Sequence, residues 1–173
     1  MIYALMKKIY VTSHILVLLF LHVLANAQED ELHLNIEKGG NVEFKVNSIS
    51  QYKGGMDYEN WTTLKIYSDT TWYLGVKATR DSFICNYPQP SLSLSVVKLQ
   101  ASDGGEDSFN GTLVQTEITL NEDLTHTTLV NAADSGFYKI NITYRLDPLI
   151  GKHPGYYNQN LFLFDAVTRS PFW

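Results

Sequence analysis

From Tyr138 to Leu146 the chain alternates without a break. Tyr138, Ile140, Ile142, Tyr144 and Leu146 fall on one face, and Lys139, Asn141, Thr143 and Arg145 on the other. A period of two places one face on a core and the other in water, a division that a helix repeating every 3.6 residues does not hold. This stretch is a half-buried strand, and the rest of the chain is read around it.

The N-terminus reads as a leader. Lys7 and Lys8 form a positive start, Ile15 to Leu24 is a short apolar run, and Ala25-Asn26-Ala27 is a small-x-small cleavage site before Gln28. The pattern is that of a secretory signal peptide over residues 1–27, and its apolar run falls short of the roughly 20 residues that span a bilayer. Residues 28–173 then make a single domain of ordinary size, with no membrane span of its own. Cleavage removes two of the 13 basic residues and none of the 18 acidic ones, so the mature charge is −7. Such a body is a poor partner for nucleic acid or an anionic membrane, which reward clustered Lys and Arg.

Cys85 is the only cysteine, so no intramolecular disulfide forms. A secreted domain without a bridge rests on its core, and this economy points to a bacterial periplasmic or cell-surface protein. The ordinary reading of Cys85 is a small buried hydrophobe.

Along the mature chain, Leu32, Leu34 and Ile36 alternate, Lys38-Gly39-Gly40-Asn41 signals a turn, and Val42, Phe44 and Val46 alternate again. The pattern predicts two strands around a Gly-Gly turn. Residues 47–60 read as a loop, and Trp61 to Ala78 as a hairpin turning at Ser68-Asp69-Thr70. Residues 79–90, with Pro88 and Pro90, break the pattern. Further strands are expected from Leu92 to Leu99, from Val114 to Leu120, at Thr127–Val130 and from Leu161 to Val167, with a polar Gly-rich loop at 101–111 and another at 147–157. The expected fold is all-β: an antiparallel β-sandwich of about eight or nine strands. Counting back by two from Trp173 gives Pro171, Arg169, Val167 and Asp165, a set unlike the lipid-facing side of a closing outer-membrane barrel strand.

No catalytic constellation stands out. His33, His126 and His153 share no ligand spacing, and no serine lies in a G-x-S-x-G elbow. The expectation is a non-enzymatic protein with no cofactor and no metal. The loop Asp103-Gly104-Gly105-Glu106-Asp107 carries oxygens that calcium takes, but it departs from EF-hand spacing, and acidic Gly-rich loops are ordinarily just solvated. Aromatic residues are the stronger signal. Trp61, Tyr156 and Tyr157 stand in or beside expected loops, where aromatic faces stack on sugar rings, so a carbohydrate-binding module is the alternative reading.

Asp134-Ser-Gly-Phe-Tyr138-Lys-Ile140 resembles the Asp-x-Gly-x-Tyr-x-Cys signature of immunoglobulin-type sandwiches, with Ile140 in place of the bridging cysteine. The resemblance implies a corner at Tyr138, whose hydroxyl ties back to the chain. Over its mature length the layout is also similar to secreted bacterial sandwiches of the spore-coat-U-like and fimbrial-subunit type. The similarity lies in the leader, the alternating runs with Gly-rich turns, the Asn60-Trp-Thr-Thr-Leu-Lys-Ile-Tyr-Ser-Asp-Thr-Thr-Trp72 segment, and a closing alternating strand. It implies a structural or adhesive subunit that self-associates or joins protein partners by strand addition. Gln28 to Ile36 is then either a donor strand or the first strand of its own domain.

Overall fold

Each apolar run identified above turns one face inward, but several pair with different neighbours from those their spacing suggests. The computed structural model describes residues 30–85, 90–105, 109–114, 116–153, 157–158 and 162–168. The leader, with Ala25, Ala27 and Gln28, lies outside them, as does Tyr156. In chain order the elements are β1 (Leu32–Lys38), helix α1 (Ile49–Gly54), β2 (Met56–Ser68), β3 (Trp72–Ala78), β4 (Ser82–Cys85) and β5 (Leu92–Ser93). A 3-10 turn at Leu94–Val96 follows, then β6 (Val97–Asp103), β7 (Thr112–Leu113), β8 (Ile118–Thr119), β9 (Thr127–Ala133), β10 (Gly136–Leu146), β11 (Tyr157–Asn158) and β12 (Phe162–Val167). Those from Glu31 onward group as one unit.

The strands form a five-stranded sheet, β1-β2-β10-β6-β8, a four-stranded sheet, β12-β3-β9-β7, and a small three-stranded sheet, β11-β4-β5. All their pairings are antiparallel. Tyr138, Ile140, Ile142, Tyr144 and Leu146 of β10 are all buried, as the alternation requires. They share one core with Leu64 and Ile66 of β2, Trp72, Leu74 and Val76 of β3, Leu99 of β6, and Leu129 and Val130 of β9. The expected antiparallel β-sandwich is the observed fold.

Twelve strands are present among the described residues rather than eight or nine, because short strands lie inside segments read as loops or as single runs. Cys85, buried at the end of β4, packs as the small hydrophobe expected. The corner is also present: Tyr138 Oη lies 3.1 Å from the Ser135 carbonyl oxygen and 3.2 Å from Asn110 Oδ1. Asn110 in turn donates to Asp134 and accepts from its backbone N–H, so one amide pins both sides of the corner.

Several expected elements need correction. Trp61–Ala78 is not a hairpin: β2 and β3 belong to different sheets, and the chain crosses the core between Ser68 and Trp72. Buried Ser68 holds that crossing, its hydroxyl donating to the Thr70 carbonyl. Leu92 to Leu99 is not one strand, because Ser93 Oγ accepts from Ser95 N and winds the 3-10 turn, after which Val97 takes the inward position beside Val96. Val114 to Leu120 is not one strand either: of its described residues only Ile118–Thr119 form a strand, β8 of the five-stranded sheet, while β7 of the four-stranded sheet ends before it at Leu113. Finally, residues 47–60 hold a helix and the start of β2. Ser48 caps the helix by accepting from Gln51 N, and the Gln51 side chain reaches back to Asn47 N, a Ser-x-x-Gln arrangement close to a capping box.

Candidate functional site

Both large sheets end on the same side of the sandwich, with β1 and β12 as terminal strands lying against one another. This margin is the candidate site. β1 alternates as predicted, and Leu32 to Ile36 pair with Ser68 to Leu64 of β2. Of Gln28–Ile36, residues 30–36 are described, and Leu32–Ile36 belong to the first strand of their own domain rather than to a free donor.

At Ile36–Lys38 the ladder breaks in a β-bulge, and the second expected strand, Val42 to Val46, joins no ladder. The alternation there is nevertheless real in burial: Val42, Phe44 and Val46 are half-buried against the core while Asn41, Glu43, Lys45 and Asn47 are exposed. Side chains of β2 take the place of a backbone ladder. Thr62 Oγ1 donates to the Gly39 carbonyl at 2.6 Å, Trp61 Nε1 to the Asn41 carbonyl at 2.8 Å, and Tyr58 Oη to the Glu43 carbonyl at 3.0 Å. Three alternate carbonyls are thus held by three side-chain donors, as extended backbone permits. The rings stack in the same order, Phe44 on Tyr58 at 4.9 Å and Tyr58 on Trp61 at 5.0 Å between centroids.

Gly39 is where this clasp leaves β1. Its φ of +69° lies in the left-handed region, and a β-carbon there would overlap the Trp61 carbonyl oxygen, so only glycine fits. Thr62 spends its one proton on Gly39, so the 2.9 Å contact between Thr62 Oγ1 and Tyr144 Oη is a donation from Tyr144. Burial pushes the Tyr144 phenol up to about 12. Beneath the clasp is a cleft of about 130 Å³ lined by Ile36, Val42 and Phe44 on one side and by Phe83, Phe162 and Phe164 on the other.

Sequence reasoning missed the clasp because its donors sit on β2, about twenty residues away. The only local trace was the alternation itself. Among the aromatic candidates, Trp61 is 39% exposed but is committed to the clasp through its ring and its N–H. Tyr157 packs against the core in the three-stranded sheet and donates to the His153 carbonyl. Trp61 and Tyr157 belong to different sheets and different structural tasks.

A second hollow, shallow and polar, lies on the outer face of the five-stranded sheet. Asp57, Glu59, Asn60, Gln100, Thr143 and Arg145 line it, at a volume of about 250 Å³. An irregularity in β2 opposite Thr143 shapes it, with Asn60 at φ +46° and its N–H donating to Thr143 Oγ1. The charges there answer one another: Arg145 binds Glu117 at 3.1 Å, and Lys98 binds Asp147 at 3.0 Å. Glu117 and Asp57 hold the Arg145 guanidinium above even its ordinary high range.

Of the acidic loop, Asp103 to Gly105 is described, and Asp103 Oδ1 accepts from Gly105 N in a local turn; Glu106 and Asp107 lie outside the described residues. Among the described residues no group of three metal-binding side chains gathers, and no helix is long and apolar enough to cross a membrane. No protein-family model matches the chain, and neither does any curated protein.

Proposed function

We propose that the protein is a secreted, non-enzymatic structural or adhesive subunit that joins its partners through sheet edges. One observation carries the reading. β1 is a seven-residue terminal strand without proline, exposed along most of its length, and beside it the chain peels away over an apolar cleft. An edge of this kind offers a row of backbone donors and acceptors to another strand, and natural proteins that must avoid pairing blunt such edges. Ile36, 46% exposed, and Leu163 on β12, 44% exposed, add apolar surface at the same margin. A glycan reading draws less support, because Trp61 and Tyr157 each serve an internal contact and lie in different sheets.

Light scattering of the purified protein over a wide concentration range tests the proposal. The expected result is a mass that grows with concentration and falls back to one chain in Leu34→Pro, which removes a backbone donor from the edge. Thermal melting of both proteins checks that the variant stays folded. A wild-type monomer at every concentration would sink the proposal.

A further inference from the structure

The two ends of the β2–β10 ladder differ in chemistry. Leu146 pairs with Met56 at one end and Gly136 with Ser68 at the other, about 34 Å away at the rise of an extended strand. Among the described residues three large apolar side chains are more than half exposed: Ile49 at 73%, Ile150 at 65% and Phe137 at 61%. Single apolar side chains in water need no explanation, but here the first two lie beyond the Leu146 end and the third at the Gly136 end, each beside charges of one sign.

At the Leu146 end, α1 and the loop after β10 hold each other. Leu149 N donates to the Tyr52 carbonyl at 2.9 Å, and Tyr52 Oη donates to the Lys152 carbonyl at 2.8 Å. Ile49 stands three residues before Tyr52 and shares its side of the helix, the side tied to the loop that carries Ile150. No residue of the helix is buried. Residues 47–55 and 148–153 contain Lys53 and Lys152 and no acidic side chain, in a chain of net charge −5. This corner is apolar with a positive rim.

At the Gly136 end, Phe137 aligns with Tyr67 and His33 across three strands, the rings 4.5 Å and 6.0 Å apart. β6 pairs with β10 only from Ile140 onward, so no strand lies beside Phe137 on its other side. Just past this row come Glu31, Asp69 and Asp134, with Asp69 N donating to the Glu31 carbonyl at 3.1 Å. This corner is apolar with a negative rim.

We infer that the two corners bind each other on successive copies of this chain, with Ile49 and Ile150 against Phe137, and Lys53 and Lys152 against Glu31, Asp69 and Asp134. An anionic lipid surface would suit the positive corner and leave the negative one without a role, whereas a second copy uses both. The contact is heterologous: the patches stand at opposite ends of one ladder, so each added copy leaves one of each open and the row continues. It goes beyond the edge association proposed above, because it runs along the strands rather than beside them. Being small, it holds two chains only weakly by itself, and edge pairing strengthens it by presenting several ends at once.

Disulfide trapping tests the contact. Ile150→Cys and Phe137→Cys are prepared as separate proteins, one carrying a mass tag, then mixed and mildly oxidised; the native Cys85 is buried and stays out of the reaction. The mixed product is expected to form about tenfold faster than either protein's product with itself, because opposite charges steer the two ends together. Salt should reduce that preference. Adding Lys53→Glu and Lys152→Glu to the first protein should abolish it, and Glu31→Lys in the second should restore part of it, with thermal melting to confirm that each variant is folded. Equal rates for mixed and self products, or a preference that ignores the charge reversals, would overturn the end-to-end contact and leave edge association standing. The preference is expected to persist when both proteins also carry Leu34→Pro, and its loss there would overturn a contact separate from the edge. A wild type that stays monomeric in light scattering while the trapping preference holds would sink the edge reading alone.

Discussion

β10 and the margin at β1 carry the same kind of sequence and reach different ends. β10 is zipped to β2 along one side and to β6 along the other, and its inward side chains meet those of β3 and β9 across the core. At the margin, β1 is laddered on one side, and the alternating residues 42–46 that follow it are laddered on neither. There the carbonyls hang on the hydroxyls and indole of β2. The lesson is that alternation describes which side chains turn inward. It does not say whether a neighbouring backbone is there to pair with, and here the unladdered stretch is the one beside the exposed edge.

The comparison can be broken first at its strong side. Ile140→Ala in β10 removes a fully buried side chain between two laddered neighbours and is expected to cost about 2–5 kcal/mol, read as a lowered midpoint in urea unfolding. A loss below about 1 kcal/mol would mean that the centre of the sheet is no better held than its margin.

Tyr144 joins the two regions, since it sits on β10 and its hydroxyl ends in the clasp through Thr62. Its phenol is raised to about 12, above the ordinary value of 10, so the folded state holds this proton more tightly than the unfolded chain does. The stabilisation is complete below pH 10 and is lost as pH rises from 10 through 12, amounting to about 2–3 kcal/mol across that window. Tyr144→Phe should flatten that alkaline loss while costing about 1 kcal/mol at neutral pH, where one buried hydrogen bond disappears. Urea unfolding at several pH values measures both, and an unchanged alkaline slope in the variant would remove Tyr144 as its source.

The smallest effect sharpens the contrast. Phe44 is half-buried, so Phe44→Ala is expected to cost only about 1 kcal/mol in global stability. Amide exchange in residues 41–47 should nevertheless speed up while that of β10 stays the same, because the clasp opens locally. Equal acceleration in both regions would show that the clasp is part of the core after all.

Much of the fold was legible because strand periodicity is local. The inward face of β10, the burial of Leu64 and Ile66 against Trp72 and Leu74, the Tyr138 corner and the buried Cys85 all follow from residues read within a few positions of one another. The helix has a local signature too, in Ser48-Ile-Ser-Gln51 before a glycine pair. The misread hairpin at Ser68–Trp72 has a physical cause: a turn between two alternating runs serves equally for strands in one sheet and for strands facing each other across a core. The aromatic loop residues misled for a related reason, since the indole of Trp61 and the hydroxyl of Tyr157 suit an internal carbonyl as well as a ligand.

By itself the amino-acid order determined which residues of each strand turn inward, because a pleat sends neighbours to opposite faces wherever it runs. Only the tertiary structure decided which strands became neighbours, that the sheets end together at β1 and β12, and that residues 39–43 are held by β2 side chains. The clasp bonds and the β2–β10 ladder join positions 15 to 90 residues apart, and their formation depends on how the whole core closes rather than on any pattern within a single segment.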